Sequence, residues 1–445
     1  MASVPTPSAL LAALDRLGTP TARELTQALG GISQPTVSRL ITAAGAEVVR
    51  MGRVRATRYA RARAVEGLGN SQPLYRIDER GASERLGTLH LLSGGRHWLE
   101  AGSASTLFEG LPPFVLDLAP QGYLGRAFVR AHPELGLPPR ISDWSSDHLL
   151  IAVARRVPDG PGQLILGREA FDAFVADTRG PIEEADYPSR ATKSMTADPG
   201  SIAAGERPKF LAQRDGRHVL VKFADTGAGE SGQRWADLLE AEAIALEVIE
   251  RSGQAPAAKA RVIAIGPLRF LEVDRFDRVG PRGRRGTVSL AAYDDGFIGA
   301  GGSWSHLADR MQKMRALWAD DLRAVRWLET FGQLIANSDR HRGNLSFFVD
   351  GVDYAHVRLA PVYDMLPMHF APREELRLGD IPEFIPAGPT AYTADVWLGA
   401  AEHAIAFWRR VSTARTVSPD FRGLARAAHD AVARLRDRVG PKLQA

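Results

Sequence analysis

The feature that most constrains the fold is a pair of apolar runs, 345–349 and 357–360, on either side of the dipeptide Asp350-Gly351. Both runs are rich in β-forming residues, and Asp-Gly between two such runs predicts a tight hairpin. A hairpin turns the chain back on itself, so the residues that flank it lie at one end. The pattern therefore predicts that Asp364 returns beside Asn344, which stands twenty residues earlier.

Three polar residues around this hairpin suggest a chemistry. Asp339 and Asn344 have the D-x-x-x-x-N spacing of a kinase catalytic loop, where the Asp orients or deprotonates an acceptor hydroxyl. Mg²⁺ prefers oxygen ligands, and Asn344 with Asp364 would supply the protein's share beside phosphate oxygens. The alternative is that all three are ordinary turn and cap residues. The apolar flanks of Asp364 favour the metal site, because a polar group in such surroundings needs a partner.

Composition limits the class of protein. The chain has 445 residues, 44% of them hydrophobic, which is enough for two or three domains with their own cores. No stretch approaches the roughly 20 apolar residues of a membrane span, and the start lacks a signal-peptide pattern, so we expect a cytoplasmic protein without membrane association. Cysteine is absent, which excludes disulfides and thiolate metal sites. The net charge is +4, and arginine carries most of the positive charge because there are only six lysines.

Residues 1–65 predict three short helices followed by a hairpin. Thr21 and Glu24 form a capping box at the start of the second helix, and Ser33 caps the third. The alternating stretch 48–59 turns at Gly52 and predicts two strands that would form a wing. Helix, short turn, helix and wing together resemble a winged helix-turn-helix.

DNA binding is the function predicted for this region, because residues 1–70 contain nine arginines against four acidic residues, a local charge of +5. The alternative is a small helical interaction module with a solvated basic hairpin. The residues expected to meet base edges or nearby phosphates are Gln34, Thr36, Ser38 and Arg39. The residues expected to meet phosphates from the wing are Arg50, Arg53, Arg55 and Arg58.

Residues 66–185 predict a β-rich domain without a catalytic group of residues. A Gly/Ser/Pro linker is expected at 66–73, and short strands are expected further on. Those strands are predicted at 75–77, 86–92 and 98–100, with helices near 124–132 and 168–179.

Residues 186–280 predict a nucleotide-binding unit. A small-residue loop precedes a strand, a turn and a second strand that contains Lys222, which is the layout of a kinase small lobe. The loop is not G-x-G-x-x-G, and a strand-end lysine is commonly solvated, so neither feature is specific alone. A helix over 234–251 carries Glu242 on or near its buried side, where it can pair with Lys222. Glu240 is the competing candidate, and surface pairing four residues apart is the alternative to both.

Four stretches together resemble the HipA family, the serine/threonine kinase toxins of bacterial toxin–antitoxin systems. More narrowly they resemble its YjjJ/HipH-type branch, whose members carry their own N-terminal helix-turn-helix. The stretches are 201–209, 273–278, 337–344 and 360–365. The resemblance implies an α+β chain: a winged helix-turn-helix, a β-rich small domain, then a two-lobed kinase-like fold whose helical C-lobe occupies 281–445.

The resemblance also implies a role for individual residues, with ATP and Mg²⁺ as cofactors and a protein of unknown identity as substrate. Asp339 matches the catalytic Asp, Asn344 and Asp364 match the magnesium ligands, and Lys222 matches the phosphate-binding lysine. Asp274 to Phe276 matches the hinge whose backbone meets adenine. The loop residues expected around the phosphates are Ser201, Ala203, Gly205 and Lys209. Ser201 matches a serine that family members autophosphorylate, which expels the loop and silences the kinase.

The remaining expectations concern partners and the C-terminal half. In family members the DNA-binding partner is commonly a separate antitoxin, whereas here residues 1–60 would supply that module in cis. The Gly/Arg-rich stretch 279–302 is predicted to be a mobile loop, and His341 is predicted to buttress the catalytic loop. The alternative to an enzyme is a transcription regulator whose kinase-like part only senses a ligand. The sequence leaves open whether the chain forms a homodimer.

Overall fold

The computed structural model describes residues 5–52, 57–157, 159–178, 180–197, 208–373 and 381–444. Within these ranges the chain is a mixture of helices and antiparallel sheets. The DNA-contact predictions for Arg53 and Arg55 lie outside the described residues. The same is true of the loop predictions for Ser201, Ala203 and Gly205.

The N-terminal region contains the predicted elements: α1 (Pro7–Leu17), α2 (Ala22–Ala28), α3 (Gln34–Ala44), β1 (Val48–Met51) and β2 (Arg58–Arg61). Thr21 and Glu24 form the expected capping box, and the Ser33 hydroxyl accepts from the Thr36 N–H at the start of α3. Strands β1 and β2 pair antiparallel. These caps confirm the predicted helix starts.

The hairpin of β1 and β2 packs on the domain that follows it. Met51 and Ala60 belong to a buried cluster with Leu92. Arg63, just beyond β2, forms a bidentate ion pair with Asp147 at 2.7 and 2.8 Å. The N-terminal region is therefore attached to the body by apolar packing and by a directional charge pair.

The middle region is a five-stranded sheet, in the order β6-β5-β4-β3-β7, with four helices. Its elements are β3 (Ser71–Ile77), β4 (Ser83–Leu91), β5 (His97–Glu100), β6 (Thr106–Phe108), α4 (Pro113–Leu118), α5 (Gly122–Ala131), α6 (Ser146–Arg156), β7 (Leu164–Leu166) and α7 (Arg168–Ala176). The predicted linker at 66–73 is wrong at its end, because β3 begins at Ser71 and includes Pro73. Strand β7 pairs only with residues 74–76, so Pro73 lies where one side of β3 needs no backbone donor.

The small lobe is a four-stranded antiparallel sheet, in the order β10-β11-β9-β8, with one helix on each side. Its elements are α8 (Tyr187–Ala197), β8 (Lys209–Arg214), β9 (Arg217–Asp225), α9 (Gly229–Ser252), β10 (Ala260–Ile265) and β11 (Leu268–Asp274). Lys209 pairs with Lys222, which also pairs with Leu271, so these three lie on one face of the sheet. On the other face, Phe223 and Phe270 pack with Tyr187 of α8.

The C-terminal region contains β12 (Arg278–Val279), β13 (Gly283–Arg284), β14 (Thr287–Ser289), α10 (Leu290–Tyr293), α11 (Trp304–Lys313), α12 (Ala319–Leu334), β15 (Ser346–Asp350), β16 (Asp353–Leu359), α13 (Ala394–Thr413) and α14 (Pro419–Gln444). The predicted mobile loop at 279–302 is wrong. Val288 and Tyr293 are buried there, and the Asp294 carboxylate accepts the N–H groups of Ala300 and Gly301 at 3.0 Å each. These contacts order a stretch whose glycine and arginine content suggested a mobile loop.

The core of the C-terminal region is mostly aliphatic, and its largest buried side chains are aromatic. Among them are Trp304, Trp327, Phe331, Trp397, Phe407 and Trp408. In the described part of the chain, no helix is both long enough and apolar enough to span a bilayer.

Candidate active site

The predicted hairpin forms, and it brings Asp364 to the catalytic-loop sequence. Strands β15 and β16 pair antiparallel, with Phe347 opposite Leu359. Asn337 then joins the two ends: its Nδ2 donates to the Asp364 carbonyl at 3.2 Å, and its Oδ1 accepts the Asp339 N–H at 2.9 Å. Sequence reasoning assigned no role to Asn337, although an Asn two residues before an Asp is a common turn-forming arrangement.

The side chain of Asn344 is oriented by the loop itself. Its Nδ2 donates to the Asp339 carbonyl at 2.9 Å, and the residue is buried. Among the described residues no hydrogen-bond donor contacts its Oδ1, which is the atom that a hard cation would bind. His341 accepts the Gly343 N–H at 3.1 Å, which is the buttressing contact predicted for it, while Asp339 is exposed.

Two non-glycine residues beside the site have a left-handed backbone. Ala336, directly before Asn337, has φ 61°, and Asp364 has φ 53°. Such conformations cost on the order of 1–3 kcal/mol each and are concentrated at functional sites. The chain therefore accepts strain at both points where it enters the candidate site.

A buried lysine joins the two lobes. Lys222 Nζ donates to both oxygens of Glu242, at 2.7 and 2.8 Å, and also contacts the Asp364 carboxylate. Lys222 and Glu242 are 5% and 0% exposed, whereas the Asp364 side chain retains 28% exposure. Glu240, the competing candidate, is a neighbour of Thr416 instead, and burial raises its pKa.

The charges of this group are mutually dependent. Burial opposes the charge of Lys222, but attraction by Asp364 and Glu242 outweighs it, so the pKa of Lys222 lies above its usual value. Burial raises the pKa of Glu242 despite Lys222. Burial also disfavours the charge of Asp364, but Lys222 and then Lys209 hold the pKa of that carboxyl below its usual value. Asp364 is therefore the ionised carboxylate that faces the cleft.

The predicted hinge follows β11. The backbone N–H of Asp274 donates to Lys259 at 2.8 Å, and the Asp274 carboxylate accepts from Arg217 at 2.5 Å. The N–H of Phe276 has no acceptor among the described residues, so it remains able to meet a ligand. The Phe276 ring packs on Tyr363 with a centroid distance of 5.7 Å, which places the hinge next to the residue that precedes Asp364.

A cavity of about 770 Å³ adjoins the site, mainly between the middle region and the C-terminal region. Tyr363 lines the cavity, and its hydroxyl contacts the Gly343 carbonyl at 2.8 Å and Ser346 Oγ at 2.9 Å. Leu211 of β8 contributes from the small lobe. Residues 116–121 and 159–161 of the middle region line the remaining side, a contribution that sequence reasoning did not predict.

The predicted DNA-contact residues within the described ranges fall into two groups. Gln34, Ser38 and Arg50 are exposed. Arg39 and Arg58 are exposed as well, and their guanidinium groups donate to the carbonyls of Pro35 and Thr19. Thr36 differs, because its hydroxyl lies 2.9 Å from Ser33 Oγ and takes part in the cap of α3.

Comparisons with known proteins agree along most of the chain. Residues 68–175 match the middle domain of YjjJ-like toxins, and residues 201–436 match the HipA-like C-terminal domain. Toxin YjjJ of Escherichia coli strain K12 is 33% identical over 436 residues, which is 95% of this chain and 97% of that protein.

A solved structure shows the same fold. HipA, in a complex with HipB and operator DNA from Shewanella oneidensis MR-1, matches 82% of this chain and 97% of its own, with a TM-score of 0.55 and 15% identity. The Helicobacter pylori proinflammatory kinase CtkA matches 53% of this chain and 91% of its own, with a TM-score of 0.37 and 12% identity. The two domain matches and the relative at 33% identity show that this chain belongs to the HipA family, as a YjjJ-type toxin.

Proposed function

We propose that the chain is an ATP- and Mg²⁺-dependent protein serine/threonine kinase with a DNA-binding domain in cis. The observation that supports this most directly is the position of Lys222. It bridges Glu242 of the small lobe and Asp364 of the catalytic side, while Asn344 is oriented a few residues from Asp339. A lysine from one lobe, with a carboxylate and an amide from the other, is the set of groups that phosphoryl transfer requires.

Each group has a distinct role in this proposal. Bound Mg²⁺ would neutralise phosphate charge, and Asp364 and the Asn344 amide oxygen are the atoms suited to hold it. Lys222 holds the phosphates as a point charge, and Glu242 fixes the lysine in the cleft. Asp339 orients the acceptor hydroxyl: its backbone is held by Asn337 and Asn344, and the residue is exposed. Catalysis then rests on positioning and charge.

The proposal is tested by transfer of labelled phosphate from ATP. Asp339→Asn should lower incorporation by roughly 10³-fold, since it removes the charge that orients the hydroxyl but retains the shape. Asp350→Asn is the matched control, because Asp350 ends β15 of the same hairpin and its side chain is 90% exposed. Mapping the label shows whether Ser201 is modified. Incorporation that survives in Asp339→Asn would contradict the assigned role.

The same assay separates the kinase from its rival. A transcription regulator with an inactive kinase-like domain would bind ATP without transferring phosphate to itself or to any protein of a cell extract. Its DNA affinity would instead change when ATP is added. Transfer that depends on Asp339 excludes that rival.

DNA binding is the second proposed activity, and it is supported by the exposed face of α3. Gln34, Ser38 and Arg39 are exposed there, and Arg50 extends the basic surface onto β1. Arg39→Ala should weaken binding to a genomic fragment upstream of the coding sequence and reduce the slope of affinity against salt by about one ion. Arg80→Ala, in an exposed turn of the middle region, is the control, and fluorescence anisotropy is the measurement. An unchanged affinity and slope would remove α3 from the interface.

A further inference from the structure

A second group of buried charges lies directly behind the predicted hinge. Asp277 Oδ2 accepts from Arg278 at 2.7 Å and from Arg275 at 3.0 Å. Asp159 accepts from Arg278 at 2.6 Å and from Arg275 at 3.3 Å. Arg284 is buried beside them, 3.8 Å from Asp159. We call these five residues the hinge cluster.

The hinge cluster joins two parts of the chain that are more than 110 residues apart. The Asp277 carboxylate accepts the Gly162 N–H at 2.9 Å, and Arg278 donates to the carbonyls of Gly160 at 2.6 Å and Gly162 at 3.1 Å. Segment 159–162 belongs to the middle region, whose residues also line the candidate cavity. The middle region is therefore fastened to the hinge by backbone and side-chain hydrogen bonds.

Phe276 lies between two residues of the hinge cluster. Arg275 precedes it and Asp277 follows it, and both side chains are committed to the hinge cluster. The N–H of Phe276 has no acceptor in the described chain, and its ring packs on Tyr363 and Phe348. A backbone donor fixed from both sides is preorganised for a ligand, because little conformational freedom is lost when the ligand binds.

We propose that Asp159 and Asp277 are positioning residues that hold the hinge backbone for the adenine base, so that the middle region sets nucleotide affinity. The proposal rests on the proposed kinase function and extends it to a domain without catalytic side chains. Neither carboxylate touches the nucleotide; each acts through Arg275 and Arg278 on the position of Phe276.

An exposed ion pair near the hinge cluster offers a matched control for substitutions within that cluster. Arg285 and Glu79 form an ion pair at 2.9 Å between the stretch after the hinge and the middle region. Their side chains are 45% and 56% exposed, and solvent screens such a pair. Glu79→Gln therefore breaks a contact between the same two regions of the chain without disturbing the buried hydrogen bonds to segment 159–162.

The experiment measures two ligands by calorimetry in Mg²⁺: ATP, and inorganic tripolyphosphate, which has the phosphates but no base. Asp277→Asn should weaken ATP binding by about tenfold, because a charge-assisted hydrogen bond that orients the hinge is lost. Tripolyphosphate binding should stay within about twofold, since Lys222 and Asp364 are unchanged. Asp159→Asn, whose side chain is 29% exposed, is the second variant in case Asp277→Asn fails to fold. Glu79→Gln should bind both ligands as the parent does.

The outcomes are distinguishable. A selective loss of ATP affinity in Asp277→Asn or Asp159→Asn supports the positioning role. Equal losses for ATP and tripolyphosphate would show that the hinge cluster only stabilises the fold, and unchanged ATP affinity would overturn the proposal outright. If the parent chain bound neither ligand, the kinase function itself would fail.

Discussion

Two clusters of charged residues lie near the candidate site, and their balances of positive and negative charge are opposite. In the first, the single cation Lys222 meets two carboxylates, Glu242 and Asp364. In the hinge cluster, three arginines meet the two carboxylates of Asp159 and Asp277. The first has acceptors in excess, and the second has donors in excess.

The difference explains what each cluster can do. The surplus donors of the hinge cluster are directed to the backbone carbonyls of Gly160 and Gly162, so they hold the chain together. The surplus carboxylate of the Lys222 cluster, Asp364, retains partial exposure toward the cleft. Surplus negative charge at an exposed position attracts a cation, which is the property that the proposed chemistry needs. Asp159 and Asp364 are almost equally exposed, at 29% and 28%, so the sign of the surplus charge is what distinguishes the two clusters.

The largest expected effect comes from removing the negative charge of Asp364. Asp364→Asn should leave Lys222 paired with Glu242 and the fold intact, while phosphate transfer falls by on the order of 10³-fold. The assay is labelled transfer at saturating ATP, with a thermal melt to confirm folding. Asp353→Asn, at an exposed position of β16, is the control. Activity within tenfold of the parent would mean that the surplus carboxylate has no chemical role.

The next effect comes from removing the cation. Lys222→Met leaves Glu242 buried without its counter-charge and should cost about 4 kcal/mol of unfolding free energy at neutral pH. The pKa of Glu242 already lies above its ordinary value of 4.5 in the folded chain, and losing Lys222 raises it further. A carboxyl group whose pKa is higher in the folded state than in the unfolded state stabilises the folded state at pH values below the unfolded-state pKa. This contribution is lost as the pH rises through the folded-state pKa. The variant should therefore be less destabilised at pH 5 than at pH 8.

Urea unfolding at pH 5, 6.5 and 8 measures this difference. Lys313→Met serves as the control, because Lys313 is 72% exposed in its pair with Asp309. A loss of stability that is the same at all three pH values would show that Glu242 is not the group responsible.

The smallest effect concerns a carboxylate that has no cation partner among the described contacts. It therefore tests the effect of burial on a pKa separately from the effect of ion pairing. Asp117 accepts the N–H and hydroxyl of Ser289 at 2.8 and 2.5 Å, and burial raises its pKa to about 6 from 3.8. Its stabilising contribution is present below pH 3.8 and is lost as pH rises toward 6. Between pH 4 and pH 7, Asp117→Asn should therefore gain up to about 3 kcal/mol of stability relative to the parent.

Denaturant unfolding of Asp117→Asn and the parent at pH 4, 5.5 and 7 checks this prediction. Asp143→Asn is the control, since its pair with Arg140 is exposed and spans 3.7 Å. A stability difference between variant and parent that does not change with pH would show that Asp117 titrates normally.

The sequence predicted those parts of the site that local patterns encode. The hairpin has Asp350-Gly351 between two apolar strands, and the helix with Glu242 has the 3.6-residue period of a buried face, so both are visible in short windows. The pairing of Lys222 with Glu242 and not with Glu240 required the structure, because the sequence does not show which side of α9 faces the sheet; Glu240 contacts Thr416 instead.

The hinge cluster and the stretch 279–302 could not be predicted in this way. Asp159 and Arg278 are 119 positions apart, and no local spacing encodes which arginine meets which carboxylate. Gly and Arg in 279–302 are typical of solvated loops, yet Arg284 is buried there, and burial with the nearby Arg278 charge lowers its pKa to about 9. The expectation of a mobile loop failed because its ordering contacts come from residues distant in sequence.

The attachment of the N-terminal region has one further consequence. Met51 and Ala60 pack against Leu92, and Arg63 grips Asp147 with two hydrogen bonds, so the joint has an apolar contact and a directional one. Together these two contacts restrict rotation of the N-terminal region relative to the middle region, which a flexible linker would allow. If DNA binds along α3 as proposed, the duplex would therefore have one fixed orientation relative to the candidate active site.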